Sequence, residues 1–289
     1  MDFKLNGFEK FMIRYRIPII RITGLIYIIG MIISAILLIP FGAPLLLAFF
    51  FLTLQVYMFV ILKKINQPLV IRNKHLQPEK ALDATNQLIE TTSEKNIQDM
   101  AVLLNNRAAF LINMGEFEQA ECEIRMFWQK YGNKKLANHI RVAIHTNMAT
   151  IALEKKDFKS YEEQFRIICE YENKKAKKLI KRQMKHSIIS LTQSAEAVIA
   201  NENSNFEEYA TRVWQTNQYD PLRDRNLTGE QVLPYSYLNV YENLFIFTHN
   251  QGDVEKAKNY AQQIVNIGNE QFYIYRKAKE YLENGNSSN

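Results

Sequence analysis

The hydrophobic pattern divides the chain into two unlike parts. From Ile22 to Leu62, forty-one residues pass without an Asp, Glu, Lys or Arg, broken only by Pro40-Phe41-Gly42-Ala43-Pro44. A helix needs roughly 20 apolar residues to cross about 30 Å of hydrocarbon. The stretch therefore predicts two spans, 18–39 and 45–62, joined by a Pro/Gly turn. Beyond Pro68 the apolar residues recur with helical period, separated by short polar turns. The expected fold class is all-α: an N-terminal transmembrane helical hairpin and then a helical domain. Its divisions are an amphipathic segment over 1–16, the hairpin over 17–64, a linker over 65–78, the helical domain over 79–284 and a disordered tail over 285–289.

Within the helical domain one window carries a recognisable order of features. Ala108 is a small residue where two helices would approach, Gly115 closes the first helix, and Phe117 opens the second. Ala120, Ile124 and Phe127 continue the apolar stripe of that second helix. The order recurs at Ala149, Lys156-Asp157-Phe158, Tyr161, Phe165 and Ile168, with Lys156 where Gly is preferred. Further copies hold Ala197, Asn205-Phe206, Tyr209 and Val213, then Leu244, Gly252-Asp253-Val254, Ala257, Ala261 and Ile264. The window resembles a tetratricopeptide repeat over about residues 97–283. The resemblance implies a solenoid of about four helical pairs, although the spacing exceeds the standard 34 residues. It further implies a concave face, lined by the first helix of each pair, that receives a partner peptide.

Charge adds a direction. Residues 1–74 hold nine Lys/Arg against Asp2 and Glu9, whereas the rest holds 27 basic and 28 acidic residues. The overall charge of +6 is thus a property of the membrane-proximal part, and the domain lacks the basic face of a nucleic-acid reader. Arg14, Arg16 and Arg21 precede the first span; Lys63, Lys64, Arg72 and Lys74 follow the second, and the turn between has none. The positive-inside rule then expects a multi-pass protein of the cell membrane with both termini cytoplasmic. Phe3, Phe8, Phe11, Met12 and Tyr15 alternate with Lys and Arg, the composition of a helix lying on an anionic leaflet. The Lys- and Asn-rich, Gly-poor composition suggests a low-GC bacterium.

Candidate chemistry is sparse. The groove-facing positions implied by the repeat are Asn105, Asn106, Ile112, His145, Asn147, Asn239, Tyr241 and Asn243; Asn side chains both donate to and accept from a peptide backbone. Lys174, Lys178, Lys181 and Lys185 share one helix face, which reads as a solvated surface or a contact with anionic lipid. The segment 217–234 is the longest break in helical pattern and carries a capping signal, Thr228 to Gln231. Cys122 and Cys169 match no metal spacing, and the five histidines form no i, i+4 pair. Phosphate loops, nucleophile elbows and His-Glu-x-x-His are absent from the sequence. The expectation is a membrane-anchored, cofactor-free adaptor that binds another protein or peptide and not nucleic acid. The alternative is a membrane-bound sensor whose groove takes a short peptide or small ligand. Neither is an enzyme.

Overall fold

The computed structural model describes residues 3–36, 42–172, 194–195, 198 and 234–286. Among these the chain forms eleven helices and no strand. They are α1 (Gly7–Ile36), α2 (Gly42–Ile65), α3 (Gln67–His75), α4 (Pro78–Thr91), α5 (Ile97–Met114), α6 (Phe117–Tyr131), α7 (Asn138–Glu154), α8 (Phe158–Glu172), α9 (Pro234–Asn250), α10 (Val254–Ile267) and α11 (Tyr273–Asn286). The copy at Ala197 to Val213, the basic face of Lys174, Lys178, Lys181 and Lys185, and the break at 217–233 lie outside the described residues.

α1 starts eleven residues before the first expected span, and its own N-terminus explains why. Asn6 Oδ1 accepts from the Glu9 N–H at 2.8 Å while Glu9 Oε2 accepts from the Asn6 N–H at 2.9 Å. This reciprocal pair satisfies donors that a helix start leaves orphaned. Gly7–Ile33 is long and apolar enough to cross a membrane by length and composition, the one such helix among the described residues, and protein covers none of its apolar window. Ile22, Leu25, Ile26, Ile29 and Ile32 all stand exposed. α1 contacts α2, and Tyr27 stacks on Phe51 at 4.7 Å.

The base of these two helices is built into the rest of the molecule. Phe3, Leu5, Met12 and Ile13 share one core with Met58 and Ile61 of α2, Ile71 of α3, and Leu88, Leu103 and Phe110 of α4 and α5. Each such apolar side chain contributes about 1.5–3 kcal/mol when fully buried. The N-terminal segment, expected on a leaflet, therefore has one face covered by protein, while Phe8, Phe11 and Tyr15 stay exposed on the other. Arg16 pairs with Asp99, and Lys64 approaches Glu9 at 3.4 Å. The stretch expected as a linker contains α3. Its helical signal is weak in sequence because its contacts fall on different sides: Ile71 goes to this core, and Leu76, just past the helix end, goes to another.

Three helix pairs follow the same local rule. α5/α6, α7/α8 and α9/α10 each turn through a residue with positive φ: Gly115 (82°), Lys156 (55°) and Gly252 (77°). In every turn this residue's N–H reaches back three residues, to Ile112, Leu153 and His249. The next N–H reaches back five, to Leu111, Ala152 and Thr248. That is the Schellman pattern, which satisfies the last carbonyls of the first helix. Lys156 occupies a left-handed conformation that costs a side-chain-bearing residue roughly 1–2 kcal/mol. Ala120, Tyr161 and Ala257 hold the equivalent position one turn into the second helices, and all three are buried.

Among the described residues the last helices return to the first ones. α9 returns to pack on α3, and α11 reaches α5. Arg276 of α11 donates to the Met114 carbonyl at 2.6 Å, Phe117 meets Tyr273 edge-on at 5.1 Å, and Lys277 approaches Glu154 of α7 at 3.5 Å. A Cβ on Gly115 would sit 2.8 Å from the Tyr273 ring, so this closure requires glycine there twice over, for space and for φ.

Candidate functional site

These contacts frame a partly open cavity of about 230 Å³ between α3, α5, α7, α9 and α11. Apolar walls come from Ile112, Leu153, Ile246 and Phe272; the polar groups are Arg72, Asn113, Asn147, Asn239, Glu154 and Glu242. Ser194 completes one wall and donates to Asn243 Oδ1 at 3.1 Å.

At one end the cavity is cationic. α3 presents Arg72, whose guanidinium lies 4.0 Å from the Tyr235 ring centre and 5.5 Å from that of Phe110. Its Nε donates to Asn73 at 2.7 Å and its Nη1 to Asn113 at 3.3 Å, while Asn113 in turn donates to the Tyr235 hydroxyl at 2.9 Å. A flat cation stacked between rings and held in plane by amide oxygens keeps one orientation.

The other end is acidic. Glu242 sits two turns along α9 from Tyr235, roughly 10 Å at 1.5 Å per residue. It is the single charged residue between Pro234 and Thr248. Its carboxylate has no hydrogen bond or ion pair among the described residues, although water reaches it through the cavity. Burial, reinforced by the facing Glu154 carboxylate and only partly offset by Lys277, pushes the Glu242 carboxyl up to about 8. Burial works against the Lys277 ammonium, but Glu154 and then Tyr273 outweigh it and hold that amine above its ordinary value. Glu154 thus has a cation and Glu242 has none of its own.

The residues singled out in sequence scatter over this framework. Asn147, Asn239, Asn243 and Ile112 line the cavity. Asn105 does not; its backbone and side-chain oxygens accept from Asn147 at 3.0 and 2.9 Å, tying α5 to α7. Asn106 is half-buried away from the cavity. Tyr241 is buried in the core of α9–α11. His145 sits 5.4 Å from Trp128 and 6.3 Å from Tyr171, with Nδ1 hydrogen-bonded to Gln164 at 2.8 Å; burial keeps it below its usual titration range. Arg72, Glu154 and Glu242 were not singled out as site residues. For Glu242 a signal existed: one acid in an otherwise uncharged run of apolar and amide residues on a helix. For Arg72 none did, since its partners lie 41 and 163 residues away in the chain.

No family model, curated protein or solved structure matches this chain, so the functional reading rests on the cavity and on the exposed apolar helix.

Proposed function

We propose that this chain is a membrane-anchored interaction protein, with α1 and α2 as a hairpin in the bilayer and a tetratricopeptide-like domain on the cytoplasmic side. Within that class we read it as a sensor or regulator, which binds a small ligand in the cavity and passes the occupancy to a membrane partner, in preference to a passive adaptor. The observation that carries the reading is the position of α3. Ile71 belongs to the core at the base of α1 and α2, Arg72 lines the cavity, and Leu76 belongs to the core of α9–α11. One residue, Asn66, separates α3 from α2. A ligand that moves Arg72 therefore acts on the same nine-residue helix that seats the apolar pair. A transmitted change needs such an element, biased from both sides.

Two features support the membrane arrangement. The start of α1 and the end of α2 meet in one core with the helical domain, as a hairpin with both ends on one side requires. Beyond that core the apolar residues are bare, which lipid would cover. The size of the cavity favours the sensor. At about 230 Å³ it falls below the roughly 300 Å³ where drug-sized pockets begin, and an extended peptide does not fit inside.

Affinity purification from detergent-solubilised membranes tests the reading. The wild type is expected to recover a stoichiometric membrane partner, and filling the cavity with Ala109→Trp, or more gently Asn239→Leu, to change that recovery several-fold. Equal recovery from all three proteins would leave the cavity without a role. Orientation is checked on the exposed Cys122. Labelling of Cys122 by an impermeant thiol reagent on intact cells would reverse the topology.

A further inference from the structure

The chemistry of the cavity narrows its ligand. We propose that the cavity binds a small organic cation, an alkylammonium or guanidinium compound of about amino-acid size, whose charged nitrogen is held by Glu242. The inference rests on the binding-cavity reading above and adds the ligand class to it.

The first ground is an unmet demand. An ionised carboxylate is acceptor-only, with about four lone-pair sites, and a buried one is normally paired. Glu242 has no donor among the described residues, and the nearest cation, Lys277, is engaged by Glu154 and lies over the Tyr273 ring at 4.6 Å. Asn239, one turn earlier on α9, likewise has no hydrogen-bond partner among them, so its amide oxygen is available to a second N–H of the same ligand. The second ground is shape. The acidic end is flanked by Leu153 and Ile246, which suit methylene groups behind a charged head. The third is what the site lacks. Among the described residues no three His, Cys, Asp or Glu side chains converge to hold a metal ion, so an organic cation fits the donor set better. Arg72 at the far end repels a second positive charge placed there and orients the ligand head towards Glu242.

A proton is coupled to this binding. The charged groups facing Glu242 are Glu154 from α7, Lys277 from α11 and, across the cavity, Arg72 from α3. With the carboxyl at about 8 when the cavity is empty, most Glu242 is protonated at pH 7. A bound cation favours the carboxylate, so binding releases up to one proton. The ionised fraction falls about fiftyfold between pH 8 and pH 6, and the affinity should fall with it.

Calorimetric titration of the detergent-solubilised full chain with the monocations n-pentylamine and butylguanidine tests this, with succinate and 1-pentanol as controls. At least one cation should bind saturably, about fiftyfold more weakly at pH 6 than at pH 8, with a heat that varies with buffer ionisation enthalpy. Glu242→Gln, which keeps shape and removes charge, should lose at least thirtyfold. Absence of saturable binding by both cations, equal binding of succinate, or undiminished binding in Glu242→Gln overturns the inference. The two readings fail separately. If neither cation binds but Ala109→Trp still alters partner recovery, the cavity remains the working site and its ligand is not a cation. If cations bind and leave partner recovery unchanged, the ligand class stands and the sensor falls.

Discussion

Two carboxylates set into the fold, Glu123 and Glu242, receive opposite treatment. Glu123 on α6 keeps 7% of its surface exposed and meets the Arg107 guanidinium two-pronged, with Nε at 2.6 Å from one oxygen and Nη2 on the other. Glu242 on α9 has Asn239 one turn earlier and Asn243 next in sequence, a facing carboxylate and no cation of its own among the described residues. The first arrangement satisfies a charge where two helices of one pair join. The second leaves a carboxyl without a partner among the described residues, in a cavity lined by five helices. A fold that can supply Arg107 sixteen residues from its carboxylate is not short of cations. The unpartnered carboxyl is therefore better read as a group directed at a ligand.

The largest test of that contrast is to make the first site resemble the second. Arg107→Met removes the guanidinium and strands Glu123. Breaking a buried pair from one side typically costs 3–5 kcal/mol, and Arg107 is 28% exposed, so about 2–3 kcal/mol is expected. For a domain of this size that lowers Tm by roughly 4–12 °C in thermal denaturation of the solubilised protein. Glu242→Gln, by the same measurement at pH 8, is expected to raise Tm by a few degrees. If both substitutions destabilise equally, Glu242 is an ordinary structural carboxylate.

How much of this was legible beforehand differs between the two sites. The pair that holds Arg107 and Glu123 lies within the clearest repeat window, and its turn is encoded locally by Gly115 and Phe117. Even Lys156, a poor residue for its turn, is placed by register with Gly115 and adopts the same left-handed conformation. Short-range patterns carry such information because the hydrogen bonds of the turn span five residues. The cavity is a product of long-range closure. Asn269 donates to the Leu76 carbonyl and Gln271 to Glu79, contacts 193 and 192 residues apart in the chain. No periodicity predicts those, and so the sequence offered no sign that α3 and α11 would line one cavity. Arg72 was legible only as one more positive residue behind an apolar span, and Tyr241 and Asn243 drew attention on either side of Glu242.

A smaller effect comes from pH. Glu242 titrates at about 8 in the folded protein, above the roughly 4.3 of an unfolded glutamate. Between those values the folded state holds a proton that the unfolded state has lost, so stability falls as pH rises through the window and levels off above it. Glu121 behaves in the opposite sense. Its hydrogen bond from Lys155 lowers its pKa, so its contribution is present at neutral pH and disappears only on acidification. His145, lowered by burial, also opposes Glu242, losing stability as pH falls below about 6.5. The informative quantity is thus the difference in Tm between wild type and Glu242→Gln. Glu242→Gln should gain on the wild type steadily from pH 5 to pH 8 and then no further. A flat difference would mean that Glu242 ionises normally.

The finest distinction concerns Lys277, which stands between the two conditions by compensating one acid and grazing another. Its ammonium lies 3.5 Å from Glu154 and weakens the burial effect on Glu242 without pairing with it. Lys277→Met keeps much of the stem that packs beside Tyr273 and removes the charge. Two carboxylates would then face each other with no cation between them, and like charges in one site force one member to hold its proton longer. The pH at which the Tm difference levels off should move upward by up to about one unit. The Tm itself should drop by a few degrees at pH 6, less than for Arg107→Met, because Lys277 is 42% exposed and meets Glu154 at a single 3.5 Å contact. A midpoint that stays in place would show that Lys277 serves Glu154 alone, leaving burial as the sole cause of the difference between Glu242 and the satisfied Glu123.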